Sequence, residues 1–171
     1  EKQDRETFWL KASESIDWIT PPKIALDDSN SPFSKWFPDG KMNSCFNAVD
    51  RHVLAGRQEQ TAIQYESPIT GQSASMSYGE LKKQTEKFAG MLIEQGLKKG
   101  DRVIIYMPMI VEAVIAMLGC ARIGVVHSVV FGGFAAAELA KRINDCKPKL
   151  IVSASCGHEP NRLVLYKPLL D

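Results

Sequence analysis

Residues Arg102 to Gly133 read RVIIYMPMIVEAVIAMLGCARIGVVHSVVFGG, and this stretch decides the fold class. Two apolar runs, Arg102–Met107 and Val125–Val130, flank an apolar segment that ends at a glycine. Continuous apolar runs of this length are typical of strands buried on both faces of a parallel sheet. The intervening segment, Ile110–Arg122, is long enough for a helix, and Gly124 is a suitable stop signal. We therefore predict a strand, a helix and a second strand.

The same alternation continues downstream. Phe134–Asn144 is predicted to be a second helix, and Lys149–Ala154 a third apolar strand. Strands that alternate with helices at this spacing imply right-handed crossovers, which place successive strands parallel to one another. The predicted fold class is α/β, with three neighbouring parallel strands in a doubly wound sheet and helices covering its faces.

The segment before this sheet carries local signals of two further elements. Thr61–Tyr78 is predicted to be a β-hairpin, because two β-forming runs flank a turn, Pro68–Gly71, with proline early and glycine late. A helix should follow, because Ser77 and Glu80 form the S-x-x-E capping box. Gly96 marks the end of that helix.

The first 60 residues differ in composition from the rest. They hold all three tryptophans, Trp9, Trp18 and Trp36, together with several prolines. We predict a short helix near Phe8–Ile16, an extended segment over Ile19–Gly40, and a helix over Asn43–Ala55. Aromatic residues at intervals indicate an arm that is laid over a larger body, because a free tail has no use for them.

Charge and cysteine content exclude several classes of protein. Lysine and arginine total 21 and aspartate and glutamate 20, so a net charge of +1 offers no electrostatic case for nucleic acid. Polybasic runs are absent, and the apolar stretch Val103–Leu118 is interrupted by Pro108 and Glu112, so we predict no membrane association or membrane span. The four cysteines form no C-x-x-C unit, which favours a reducing compartment without disulfides or zinc, and Cys120 is predicted to be buried.

The glycine pair after the second strand is the first candidate site. Phe131-Gly132-Gly133-Phe134 lacks the three spaced glycines of the dinucleotide fingerprint, which argues against a nicotinamide-dependent oxidoreductase. The Walker loop is missing too, since the only Gly-Lys pair is followed by methionine. Free amides at a helix N-terminus and bare glycine backbone could still receive a ligand. A plain turn between strand and helix is the alternative.

The second candidate site follows the third strand. In VSASCGHEPNR, Val152–Arg162, the end of this strand is predicted to open through small residues into a loop that carries His158, Glu159 and Arg162. Ligands of open α/β sheets bind at the carboxyl ends of strands. Arg162 could form a charge-assisted fork with a phosphate. The alternative is a surface arginine that is paired with Glu159.

Several longer stretches, in order, resemble one family. These are WFPDGKMNSCFNAVDRHV, GDRVIIYMPM, ARIGVVHSVVFGGF and KPKLIVSAS, which begin at Trp36, Gly100, Ala121 and Lys147. They are similar to the short-chain acyl-CoA synthetases, the acetyl- and propionyl-CoA synthetase branch of the adenylate-forming superfamily. The SPITG and EPNR stretches resemble propionyl-type members more than acetyl-type ones.

The resemblance implies an ATP-dependent acid–thiol ligase that makes short-chain acyl-CoA, from propionate or acetate, through an acyl-adenylate. CoA and ATP, the latter with magnesium, would be its substrates. Residues 1–60 would be the N-terminal arm and helix of such synthetases, and residues 61–171 the first, incomplete part of the AMP-binding domain. The family's phosphate loop, adenine motif and catalytic lysine do not occur in these 171 residues. The chain is therefore expected to be an N-terminal fragment that is inactive alone; a noncatalytic CoA- or protein-binding module is the alternative.

The resemblance also assigns residues. Phe131, Gly132 and Gly133 correspond to the family's turn near the CoA adenine. The loop that approaches the CoA 3′-phosphate corresponds to Glu159, Pro160, Asn161 and Arg162, with an acid at Glu159 where acetyl-type members often have a second basic residue. No catalytic residue and no metal ligand is assigned within the chain. The implied location is the cytoplasm or the mitochondrial matrix, and an oligomer is possible.

Overall fold

The computed structural model describes residues 4–133 and 135–171. Its helical segments are α1 (Arg5–Ser13), a π-helical segment (Phe46–Asp50), α2 (Arg51–Leu54), α3 (Tyr78–Glu94), α4 (Val111–Ile123), α5 (Ala136–Cys146) and α6 (Lys167–Leu170). Its strands are β1 (Trp18–Thr20), β2 (Leu26–Asp27), β3 (Lys35–Trp36), β4 (Lys41–Met42), β5 (Thr61–Ser67), β6 (Gln72–Ser77), β7 (Arg102–Met107), β8 (Val126–Phe131), β9 (Leu150–Ser153), β10 (Cys156–Glu159) and β11 (Arg162–Leu165).

The central sheet has three parallel strands in the order β8-β7-β9. The middle strand is completely buried from Val103 to Tyr106, as its continuous apolar sequence predicts. The prediction of three neighbouring parallel strands is therefore confirmed. The third strand is shorter than predicted, and it ends at Ser153.

Helices cover both faces of this sheet. On one face, α3 and α4 pack against Val103, Ile105 and Met107. On the other face, α5 and α6 contribute to a cluster that contains Ile104 and Tyr106. The two predicted covering helices, α4 and α5, are confirmed, although the predicted start of α5 at Phe134 lies outside the described residues.

Local capping signals were accurate. The Ser77 hydroxyl accepts from the Glu80 N–H, and the Glu80 carboxylate accepts from the Ser77 N–H, at 3.2 and 2.8 Å. These two bonds satisfy backbone donors that the first turn of α3 would leave free. Gly124 ends α4 with a φ of 73°, a left-handed conformation that a side chain would strain. The predicted hairpin is also confirmed, as β5 and β6 pair antiparallel.

One ion pair joins the predicted Asn43–Ala55 helix to the body. That segment is π-helical over Phe46–Asp50 before it continues as α2. At its centre, the Asp50 carboxylate accepts two hydrogen bonds from the Arg122 guanidinium, at 3.1 and 2.8 Å. The Arg122 side chain also donates to the Thr85 hydroxyl at 3.3 Å. The pair therefore links the π-helical segment, α3 and α4.

The N-terminal arm differs from the prediction in two ways. Ile19–Gly40 is not one extended run, because short strands fold back on one another as the pairs β1–β4 and β2–β3. The tryptophans also contact aromatic residues of the arm itself, with Trp9 and Trp36 at 5.1 Å and Trp18 and Phe37 at 5.6 Å between ring centroids. Aromatic rings can pack against one another within the arm, so the spacing of the tryptophans in the sequence did not indicate which surface they contact.

Hydrogen bonds connect the arm to the rest of the chain. The Asn43 side-chain amide donates to the Arg122 carbonyl at 2.9 Å, and the Arg51 guanidinium donates to the Ser15 carbonyl at 2.8 Å. Asn47 both donates to and accepts from the Asp17 backbone, at 3.0 and 2.9 Å. The arm is thus held to the body through backbone groups that a sequence pattern does not identify.

Candidate functional site

The carboxyl ends of the three parallel strands lie at one edge of the central sheet. Tyr106 pairs with Val130 and with Ser153, so β7, β8 and β9 end nearly level with one another. The segments that follow them must therefore emerge side by side. In open α/β sheets, this edge is where ligands bind.

A cleft of about 360 Å³ opens at this edge. Three of its walls are the turn between β5 and β6, the glycine turn after β8, and the β10–β11 hairpin. Its lining consists of Tyr65, Ser67, Ile69, Thr70, Pro108, Met109, Ile110, Gly132, Gly133, Cys156, Gly157, His158, Glu159, Pro160, Val164 and Tyr166. The cleft thus combines apolar side chains with exposed backbone and a single carboxylate.

Four of the seven predicted CoA-binding residues line this one cleft: Gly132, Gly133, Glu159 and Pro160. The two candidate sites predicted from the sequence therefore lie at one cleft, although 26 residues separate Gly133 from Glu159. Phe131 ends β8, where its backbone is level with Met107. Asn161 and Arg162 are exposed and stand outside the lining.

The prediction of a loop that carries His158, Glu159 and Arg162 is wrong. After β9, the chain forms a second antiparallel hairpin, in which β10 pairs with β11 from Cys156 opposite Leu165 to Glu159 opposite Arg162. Its two-residue turn is Pro160-Asn161. The small and polar residues resembled a loop because a four-residue strand is too short to establish a clear alternation.

Arg162 contacts Glu159 across the end of this hairpin. The Arg162 Nε donates to a Glu159 carboxylate oxygen at 2.7 Å, and this hydrogen bond raises the pKa of Arg162. The two side chains are 69% and 38% exposed. The structure therefore shows the alternative given in the sequence analysis, a surface arginine that is paired with Glu159. Water screens such a pair strongly, so a phosphate can compete for the guanidinium at little cost.

Two features of the cleft were missed as site residues. The SPITG turn contributes Ser67, Ile69 and Thr70 to the lining of the cleft, although its sequence pattern predicted only the turn of a hairpin. Tyr166 lies at the base of the cleft and is 2% exposed. The short β-forming run LVLY, Leu163–Tyr166, was the signal for the strand that leads to this tyrosine.

The described part of the chain has no group of three histidine, cysteine, aspartate or glutamate side chains that could hold a metal ion. No helix within it is both long and apolar enough to cross a membrane. The lining of the cleft offers a ligand backbone groups, apolar side chains, the Ser67 and Thr70 hydroxyls and the Glu159 carboxylate.

The fold is that of an α/β protein with a cleft at the carboxyl edge of a parallel sheet. A family model described as AMP-binding enzyme matches residues 50–167, and one described as acetyl-coenzyme A synthetase N-terminus matches residues 1–48. Because the first match covers more than half of the chain, the chain belongs to the AMP-binding enzyme family. The resemblance stated from the sequence is thereby confirmed.

Individual relatives agree with this assignment. The chain is 51% identical over 168 residues to acyl-CoA synthetase short-chain family member 3, mitochondrial, of Rattus norvegicus, an alignment that covers 98% of the chain and 25% of the relative. It is 50% identical to the protein of the same name from Homo sapiens, with 98% and 24% covered. It is 49% identical over 170 residues to acetyl-coenzyme A synthetase of Streptomyces avermitilis, with 99% and 26% covered. The chain spans about a quarter of the length of these curated relatives.

Proposed function

We propose that the chain supplies the CoA-binding part of an acid–thiol ligase that makes short-chain acyl-CoA. The observation that carries this proposal is the convergence of the glycine turn and the β10–β11 hairpin on one cleft at the carboxyl edge of the sheet. Membership of the AMP-binding enzyme family and the names of the relatives support the ligase class.

The proposed reaction has two halves. A carboxylate attacks the α-phosphate of ATP, which releases pyrophosphate and leaves an acyl-adenylate. The CoA thiol then attacks the acyl carbon and displaces AMP. The described residues contain no group of side chains that could hold a metal ion, and no residue of this chain is assigned a role toward ATP or magnesium.

Within this reaction, the chain binds and orients CoA. The glycine turn, with Phe131, Gly132 and Gly133, would lie near the adenine. Glu159, Pro160, Asn161 and Arg162 would face the 3′-phosphate, with Arg162 as the cation. For this contact to form, the Arg162 guanidinium must turn from Glu159 toward the cleft, which its exposure permits.

Substrate, location and domain boundaries are further parts of the proposal. Propionate or acetate is the proposed acid, because the relatives are named as short-chain and acetyl-CoA synthetases. The mitochondrial relatives favour the matrix, with the cytoplasm as the other compartment. Residues 1–60 would be the N-terminal arm and helix of the ligase, and residues 61–171 the first part of its AMP-binding domain. The 171 residues alone would release no pyrophosphate in response to propionate.

The Arg162→Ala variant tests the CoA assignment. A charge-assisted hydrogen bond to phosphate is lost, so the affinity for CoA should fall by roughly ten- to a hundredfold, with solvent exposure favouring the lower end. Isothermal titration calorimetry of the full chain with CoA measures this change. Because Arg162 is exposed, the midpoint of urea unfolding should stay unchanged.

Dephospho-CoA provides the matched control, because it differs from CoA only in the 3′-phosphate. It should bind the wild-type chain and Arg162→Ala almost equally. If the variant still prefers CoA over dephospho-CoA as strongly as the wild type does, Arg162 is a surface residue without a role in binding and the assignment is wrong.

A further inference from the structure

Tyr166 connects parts of the cleft that are otherwise separate. Its side chain is buried, its ring lies 4.9 Å from the ring of Tyr106 on β7, and its backbone N–H donates to the Ser155 carbonyl at 3.0 Å. Burial is also the main cause that raises the pKa of the Tyr166 hydroxyl, so the phenol stays neutral near pH 7. Tyr166 is therefore a fixed, uncharged side chain at the base of the cleft.

Two glycines on different elements receive the end of this side chain. A Cβ atom at Gly132 would overlap the Tyr166 hydroxyl oxygen and would lie 2.9 Å from Cζ. A Cβ atom at Gly157 would overlap the same oxygen and would lie 3.0 Å from Cζ. Separations this short are too small for two carbon atoms, so any larger residue at either position must displace the phenol.

Gly132 belongs to the turn after β8, whereas Gly157 belongs to β10. In the part of the chain that the structure describes, β10 and β11 form a sheet of their own and make no ladder with β8-β7-β9. Side-chain packing must therefore fix the hairpin against the central sheet. Tyr166 provides such packing, because its hydroxyl is in contact range of both glycines while its ring packs on Tyr106.

We infer that Tyr166 is a positioning residue that sets the separation between the glycine turn and the β10–β11 hairpin, the two walls of the cleft that are assigned to CoA. This inference rests on the proposed function for its ligand, but not for its geometry. It also revises the reading of the glycine pair. Gly132 is small because it receives the Tyr166 phenol, whereas Gly133 stays available to the ligand.

Two substitutions test the inference, one that adds an atom on the glycine side of this contact and one that removes an atom from the tyrosine. Gly132→Ala adds a carbon where the Tyr166 oxygen lies, and Tyr166→Phe removes that oxygen. Gly132→Ala alone should weaken CoA binding by roughly tenfold or more and should reduce the amide protection of residues 156–165 in hydrogen–deuterium exchange. Tyr166→Phe alone should have an effect of about threefold. In the double variant the overlap with the oxygen is gone and the 2.9 Å approach to Cζ remains, so it should regain part of the CoA affinity and part of the hairpin protection that Gly132→Ala loses.

Two matched variants control for general effects of these substitutions. Gly90→Ala adds a methyl group to α3 where nothing lies within 4 Å, and Tyr78→Phe removes a phenol oxygen beside His52, away from the cleft. Neither should change CoA affinity or hairpin protection. If Gly132→Ala does not fold, Gly157→Ala replaces it, because it meets the same oxygen and should be rescued by the same Tyr166→Phe change.

The two readouts separate the inference from the proposed function. If wild type does not bind CoA but Gly132→Ala loses hairpin protection and Tyr166→Phe restores it, the proposed function fails and the positioning role stands. If the effects of Gly132→Ala and Tyr166→Phe simply add in both readouts, Tyr166 does not couple the two walls and the inference is wrong. If wild type does bind CoA, loss of hairpin protection in Gly132→Ala without any change in CoA affinity would also overturn it.

Discussion

Two arginine–carboxylate pairs in this protein have similar geometry but opposite surroundings. Arg122 and Asp50 approach to 2.8 Å with only 19% and 9% of their side chains exposed. Arg162 and Glu159 approach to 2.7 Å with 69% and 38% exposed. Distance alone does not distinguish the pairs, whereas access to water does.

That difference indicates what each arginine can do. Arg122 is surrounded by Asp50, Thr85 and, at 3.9 Å, Glu86, so releasing it would leave a carboxylate in a nearly dry environment. Breaking such a pair is costly because one charge stays buried without a partner. Arg162 can exchange its partner for water or an anion with little loss. The first pair is costly to break, whereas the second can open to water or to an anion.

The largest expected effect is that of Asp50→Ala. The substitution leaves the Arg122 guanidinium largely buried without its carboxylate, so the free energy of unfolding should fall by about 3 kcal/mol, as is typical of broken buried pairs. Glu86 lies close enough to offset part of the loss, which favours this lower end of the usual range. Urea denaturation followed by circular dichroism measures the change.

Glu159→Ala is the matched control, since it removes a carboxylate from the exposed pair and should leave the unfolding midpoint unchanged. The double variant Asp50→Ala/Arg122→Met should recover part of the stability, because it removes both charges. Equal effects of Asp50→Ala and Glu159→Ala on stability would contradict the distinction between the two pairs.

The reactivity of two cysteines tests the same difference in access to water, this time between the core and the cleft. Cys120 is fully buried in α4, and burial raises its pKa from 9.0 to about 11. Below both values, its thiolate fraction is about a hundredfold lower than that of an ordinary thiol. Cys156 is only partly buried and lines the cleft. Iodoacetamide at pH 8 should therefore label Cys156 at least tenfold faster than Cys120, as followed by peptide mass spectrometry.

In urea, the two cysteines should react at similar rates, because unfolding removes the burial that separates them. CoA should slow the labelling of Cys156 without affecting Cys120 if the cleft is the binding site. Labelling of Cys120 as fast as Cys156 in the native chain would show that α4 is not packed as described.

The smallest expected effect is that of Glu159→Gln. The amide keeps the size of the side chain but removes a negative charge that competes with phosphate for Arg162. CoA affinity should therefore rise by about two- to fivefold, and the rise should shrink as salt increases. Calorimetry with the full chain measures both. A fall in affinity would mean that Glu159 holds Arg162 in its binding orientation instead of competing with the ligand.

The sequence predicts buried strands and helix caps in this protein, but it does not predict the order of the strands in the sheet. The unbroken run VIIY was sufficient to predict a strand with both faces covered, and the Ser77–Glu80 box was sufficient to predict a helix start. Both signals are local. The position of β7 between β8 and β9 is set by contacts between distant segments, and no single stretch of sequence contains that information.

The candidate site shows the same limit. Gly132, Gly133 and Glu159 were selected from their positions after strands, and the structure brings them to one cleft. The role of Tyr166 could not be foreseen, because it depends on two glycines that meet one hydroxyl from different elements. The β10–β11 hairpin was missed for a different reason. Its strands have four residues each, too few for a periodic pattern.

The central position of β7 has a consequence for synthesis of the protein on the ribosome. This strand is made first, yet its second neighbour, β9, is complete only at Ser153, 46 residues after Met107 (153 − 107). At about 5–20 residues per second, that delay is roughly 2–9 s. During this interval, one hydrogen-bonding edge of an almost wholly apolar strand is open on the nascent chain. Such an edge is a binding site for chaperones, and for other nascent chains when chaperones are scarce.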